Sequence, residues 1–341
     1  MQSDGPHLPS FVDGFWSRLE GAIKTEAERR LAEFVRRQKT SKWIITADFC
    51  VRDQGRPNDS FAFVILPAGD KFRQTQALLR ELPPSDLKDV RRIPPAMKRA
   101  LREGRAFTFC FVADRDRRLY RDAAIARLSI EASIASMERW VNADNCGGVI
   151  GKIRAMRAEA DKASLNLRLI EDLTITAAFA AFIVARLCRL GPVELVGWAP
   201  DRDRIVESFS GIAVTLFEIN VAAYCGRLGL KMPQLGIFTQ TSENPWCDPM
   251  IRLADYVAGI AAWDPPLVDN VRPKIAELIT DIFADNRSLA LFRVAFRDFD
   301  GQGRAEIAQV RITTSSRQGR PRERARLVPL RGRSLQLKDG G

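Results

Sequence analysis

The sequence predicts an α/β fold, a mixed sheet flanked by helices, and three observations carry that prediction. Two strand-like runs, 42–51 and 60–66, meet across a turn at 55–58, the pattern of an antiparallel hairpin. A third run, 105–113, is rich in phenylalanine and other β-formers. Beyond it, strands at 193–198 and 234–239 alternate with long apolar helical patterns, an order that covers a sheet with helices.

Taken in order, residues 12–40 read as one amphipathic helix, with Phe15, Leu19, Ile23, Ala27, Leu31 and Phe34 along a single face. Its end is basic, as the helix dipole favours. After the hairpin, a helix follows Asp70, and a break at Pro83-Pro84 starts a basic helical stretch that runs to Gly104. The segment 114–118 (Asp-Arg-Asp-Arg-Arg) ends the third strand and reads as a solvated loop and helix start. The helix it opens runs to about 141; 142–148 is a turn, and helices are expected at 150–164 and 167–190. The fourth strand is closed by Pro200 and the cluster 201–203. An apolar helix at 204–228, the strand 234–239, helices at 249–263 and 271–286 and a hairpin at 289–313 complete the globular part. Past Thr313 the chain turns rich in Arg, Ser, Gly and Pro, a composition expected to be disordered. The expected organisation is a helical extension (1–41), an α/β domain (42–313) and a basic tail (314–341).

Composition narrows the chemistry. At 341 residues and 46% hydrophobic the chain can bury a sizeable core. Its formal charge is +11, yet residues 311–341 alone hold nine cations against two acids, so most of the surplus sits in the tail. Six cysteines are scattered with no CxxC pair, and the N-terminus lacks a signal-peptide pattern. The longest apolar run, 173–185, is too short to cross a bilayer. A reduced, cytoplasmic protein with no membrane segment is expected. His7 is the single histidine, which removes Ser–His and Cys–His nucleophile pairs, His general bases and His-containing zinc sites. Any catalysis falls to carboxylates.

The chemical focus is 248–264, DPMIRLADYVAGIAAWD. Asp248 stands where a helix N-cap belongs and Pro249 where a first helical residue belongs. Apolar residues cover most of the helix, yet Asp255 sits mid-helix among Ala254, Ala258 and Gly259. A carboxylate on such a helix is costly unless paired, hydrogen-bonded or bound to a metal.

Three stretches carry a family resemblance: a first strand ending in aspartate (Ile44-Ile45-Thr46-Ala47-Asp48), a later strand followed by acids (VELVGWAPDRD), and the helix motif 251–259, IRLADYVAG. The chain resembles the domain of unknown function 3800 family, proteins of ribonuclease H-like fold, over roughly 42–290. It departs from that pattern where the family reads DESG after its first strand, here Asp48-Phe49-Cys50-Val51, and where the motif's Gln is Arg252.

The resemblance implies carboxylates from two strands and a helix converging on Mg²⁺ or Mn²⁺, cations suited to all-oxygen ligands. Asp48, Asp255 and Asp201 are the expected ligands, with Asp203 as a further catalytic candidate and Glu207 and Glu171 as spares. The bland alternatives are a turn cap for Asp48, a structural Arg partner for Asp255, and N-caps for Asp201 and Asp203. Arg252 either binds substrate phosphate or replaces the metal by pairing with Asp255 or Asp48. Two functions follow: a metal-dependent nuclease or phosphodiesterase acting on nucleic acid, or an inactive binding subunit on the same scaffold. The basic tail suits nonspecific phosphate contacts or simple solubilisation.

Overall fold

Strand alternation decides the architecture. In the computed structural model, which describes residues 10–313 except 25, 70–71, 83–86, 88–92, 121, 139–146, 163–164, 239–245, 264–272 and 298–303, seven strands form one mixed sheet. They are β1 (Lys42–Cys50), β2 (Asn58–Pro67), β3 (Phe107–Asp114), β4 (Leu195–Pro200), β5 (Gln234–Ile237), β6 (Leu289–Arg297) and β7 (Arg304–Val310). Their spatial order is β5-β4-β1-β2-β3-β6-β7. β2 runs antiparallel to β1 and β3, and β7 to β6; β4 is parallel to β1, β5 to β4 and β6 to β3. The expected hairpins and the α/β class are both present.

Each central strand feeds two cores. Trp43, Ile45, Ala47 and Phe49 of β1, Phe61, Phe63 and Ile65 of β2, and Phe107, Phe109 and Phe111 of β3 face one side. There they meet helices α1 (Ser10–Ile23), α2 (Glu26–Gln38), α5 (Ala123–Glu138), α6 (Gly147–Ala160), α7 (Leu167–Leu190) and α8 (Arg204–Arg227). Phe111 stacks on Phe179 of α7 with ring centroids 3.9 Å apart, and Phe292 of β6 extends the stack. The intervening residues Ile44, Ala62, Val64, Cys110 and Val112 face the other side, under α3 (Phe72–Arg80), α4 (Pro95–Arg102), α9 (Asp248–Ala261) and α10 (Pro273–Ile282). Burial on both faces explains the near-continuous apolar runs of these strands.

Several boundaries move. The helix expected over 12–40 divides into α1 and α2, and both pack into the same core as the sheet. Of the stretch expected as a basic helix up to Gly104, the described residues are helical over Pro95–Arg102, with Pro at the first position. The apolar run of 173–185 lies within a 24-residue helix that is long and apolar enough to cross a membrane, as is α8. In α7, 78% of the most apolar window is buried inside the fold, so its apolarity serves the core. Helix α8 breaks after one turn, where Phe209, Ser210 and Gly211 adopt positive φ. The described cysteines, Cys50, Cys110, Cys188, Cys225 and Cys247, are free thiols. The basic tail and His7 lie outside the described residues.

The N-terminal helices are tied down by charge as well as by Phe15, Trp16 and Leu19. Fully buried Arg186 of α7 donates to Glu20 of α1 (2.8 Å) and Glu28 of α2 (3.1 Å), and Tyr224 of α8 donates to Glu20 (2.8 Å). Burial works against the ionised Glu20, but these bonds prevail and hold it below the usual carboxylate range. Removing the cation takes the shared partner from two partly buried acids and leaves Glu20 with Tyr224. Arg186→Met is expected to cost about 3–5 kcal/mol, read as a lower urea midpoint at unchanged slope.

Candidate active site

Parallel β1 and β4 end side by side. Their register pairs Ala47 with Pro200, so Asp201 falls beside Asp48, and the Asp201 N–H donates to the Ala47 carbonyl at 2.8 Å. Asp48 alternates onto the α9 side of the sheet, opposite its neighbours Ala47 and Phe49. Two residues past Asp201, Asp203 caps α8: its carboxylate accepts from the Val206 N–H at 2.9 Å with extended backbone at the cap. Its N-cap reading therefore holds.

Helix α9 is laid over this end by hydrogen bonds from the strands. Thr46 of β1 donates its hydroxyl to the Met250 carbonyl (3.1 Å), and Ser60 of β2 donates to the Ala258 carbonyl (2.6 Å). The Asn58 N–H donates to the Ala262 carbonyl beyond the helix end (3.2 Å). Asp255 lies between the first two anchors. A Cβ at Gly259 would stand 2.6 Å from a Leu87 methyl, so a larger residue there requires Leu87 to shift.

The carboxylates act on one another. Burial first, and then the charges of Asp255, Asp201 and Asp203, push the Asp48 carboxyl well above its usual range, against the Phe49 N–H that donates to it at 2.8 Å. Asp201 is raised by burial and by Asp248 and Glu207, against the Arg202 N–H. Asp203 is pushed up to about 6 by burial, opposed by the Val206 and Ile205 N–H groups and aided by Asp201 and Asp172. Asp48, Asp201, Asp203 and Asp255, scattered over some two hundred residues of chain, thus share one neighbourhood.

One expectation changes. Asp248 is not the N-cap of α9: Cys247 occupies that position in helical backbone with no side-chain cap bond, and Asp248 opens the first turn. Its carboxylate instead takes the Arg252 guanidinium one turn on, at 2.6 Å. This is a favourable (i, i+4) pair of an acid preceding a base. Arg252, expected on phosphate or on Asp255 or Asp48, thus has Asp248 among its partners.

As donors, these carboxylates suit Mg²⁺ or Mn²⁺: they are all oxygen, anionic and mutually repelling. Asp48 and Asp201 each commit one oxygen to an adjacent backbone N–H. As placed, however, no three His, Cys, Asp or Glu side chains among the described residues form a group that could hold a metal ion. The donors fit such a cation in kind and in neighbourhood, but not as a finished coordination set.

A second set of charges under the site escapes sequence reasoning. Arg117, expected on a solvated loop, is buried and pairs with Asp59 of β2 and Asp172 of α7. Arg52, at positive φ just past β1, donates its Nη2 to Asp172 (2.7 Å) and its backbone N–H to Asp59 (2.6 Å). The two arginines and two aspartates balance, with the Arg117 guanidinium over the Phe61 ring. The spare candidate Glu171 accepts the N–H groups of Leu119 and Tyr120, both at 3.0 Å, and so holds the segment that carries Arg117. An acid within the apolar helix 167–190 and another at the start of β2 were the available signals; their shared partner was not.

No protein-family model, no curated protein and no solved structure matches the chain.

The raised Asp203 fixes a pH dependence. Its carboxyl titrates at about 6 when folded and at about 3.9 when unfolded. Between these values the folded chain holds more protons, so stability falls as pH rises from about 4 to about 6. Asp203→Asn keeps a good cap and is expected to make that slope shallower in urea titrations run across the window. Asp48→Asn removes a crowded charge, and its melting temperature at pH 7.5 is expected to exceed that of the wild type by a few degrees.

Proposed function

We propose that the chain is a ribonuclease H-like phosphodiesterase, dependent on Mg²⁺ or Mn²⁺ and acting on nucleic acid. The carrying observation is that Asp48 from β1, Asp201 from the end of β4 and Asp255 from α9 share one electrostatic neighbourhood. This neighbourhood supports the convergence of two strands and a helix that the likeness to the domain of unknown function 3800 family implies. The seven-stranded mixed sheet flanked by helices is compatible with a ribonuclease H-like fold. The neighbourhood also lies at the C-terminal ends of parallel strands, where α/β sheets commonly place their ligands.

On this reading Asp48, Asp255 and Asp201 hold the cation. When bound, such a cation activates water and stabilises a leaving oxygen. Asp203, with its carboxyl near 6, is poised to accept a proton and return it close to neutral pH. Arg252 becomes a phosphate contact by exchanging its Asp248 partner for substrate. The buried set Arg52, Asp59, Asp172 and Arg117 positions the strand ends beneath the carboxylates. The basic tail adds phosphate contacts of little sequence preference.

The second reading, an inactive subunit that binds nucleic acid or protein, is favoured by the incomplete coordination set and by the loss of the DESG pattern. Calorimetry separates the two. Saturable Mg²⁺ or Mn²⁺ binding, abolished in Asp48→Asn and in Asp255→Asn, is the expected result, accompanied by metal-dependent cleavage of a DNA or RNA oligomer. No binding by the wild type, with or without an oligomer, would leave the subunit reading.

A further inference from the structure

At the other end of the sheet lies a buried arginine that forms no ion pair among the described residues. β6 is parallel to β3, and β3 to β1 through two antiparallel pairings, so Leu289 at the start of β6 is at the end opposite Asp48. There Arg30 of α2 is only 8% exposed. Its Nη1 donates to the Asn286 carbonyl at 2.9 Å, while its buried Nε has no partner. A desolvated guanidinium held by one carbonyl is costly, and the natural remedy is an anion.

The surroundings supply further positive charge. Arg30 lines a hollow of about 20 Å³ together with Arg287, Arg311, Glu26 and Asp285. Arg287 and Arg311 are exposed at its mouth. Arg29, Arg287 and Arg311 all weigh against the charge on Arg30, after burial itself, and Glu26 supports it. Glu26 is shared, lying 3.2 Å from Arg311 and 3.8 Å from Arg29. The turn carrying Arg287 is fixed in advance. Asn286 donates to the carbonyls of Leu101 (3.2 Å) and Ile282 (2.8 Å) and accepts from the Ser288 N–H (2.8 Å). The hollow has room for one water-sized atom group, such as a phosphoryl oxygen.

We propose that this hollow is a binding site for a single phosphate group, with one oxygen inside on Arg30 and the others at the mouth facing Arg287 and Arg311. Planar guanidinium groups suit a tetrahedral oxyanion, and the one at the bottom of the hollow, Arg30, is held by the Asn286 carbonyl. The phosphate is either the free ion or the terminal group of a small phosphomonoester. The site is independent of the carboxylate neighbourhood.

The test is a calorimetric titration of the full chain at constant ionic strength, with inorganic phosphate in one arm and ribose 5-phosphate in the other. Saturable binding of either supports the site, and the tighter arm identifies the source. Arg287 and Arg311 are exposed, so Arg287→Gln/Arg311→Gln is expected to fold normally and to weaken binding at least about tenfold. Arg30→Gln is expected to abolish binding, with its melting curve recorded to verify folding. Asp285→Asn, which removes a negative charge from the rim, is expected to tighten binding, and Asp48→Asn to leave it unchanged. Absence of saturable binding in both arms, or equal binding by the double arginine variant and the wild type, would overturn the proposal.

Discussion

The seating of α9 on the sheet is the constraint from which the rest of the site follows. Three hydrogen bonds, from Thr46, Ser60 and the Asn58 backbone, fix the helix along β1 and β2. Two of them end on carbonyls that already serve the helix, so they add orientation without breaking its ladder. Small residues Ala254 and Ala258 are fully buried on the helix. Once α9 is seated, Asp255 has nowhere to go but beside Asp48. The β1–β4 register then adds Asp201, and the α8 cap adds Asp203.

That arrangement works against stability. Burial and mutual repulsion raise Asp48, Asp201 and Asp203 together, a state that a fold optimised for stability alone would not retain. Beside it, the protein neutralises charge with care. Arg117 and Arg52 balance Asp59 and Asp172, and Arg186 balances Glu20 and Glu28. The ion-paired acids of the core thus differ from Asp48, Asp201 and Asp203, whose carboxyls burial raises next to other acids. Arg30, at the far end, is the converse case, a buried cation short of anions.

Much of this was legible in the chain. The strands at 42–51, 60–66 and 105–113 are visible because both their faces are buried, and buried strands read as apolar β-forming runs. The motif 251–259 singled out Asp255 by the oddity of a charge on an apolar helix. Asp203 was readable as a cap because capping is local, its partner lying three residues away. The Asp248 cap was misjudged for a related reason: a competing local partner, Arg252, was one turn off. Arg117 was misjudged because its partners are 58 and 55 residues distant, and a run of alternating charges looks solvated whether or not one member turns inward.

Periodicity, turn residues and composition, all properties of neighbours in the chain, were enough to define the α/β class and the placement of most helices. Which strands lie side by side was decided only in three dimensions, and so was everything that depends on it. Asp201 meets Asp48 through a parallel pairing across about 150 residues, the Arg52–Asp59–Asp172–Arg117 set draws on four separate segments, and Arg30 meets Asn286 from the other end of the chain. Such contacts are set by the packing of whole faces, a long-range balance of burial and charge that no local window of sequence contains.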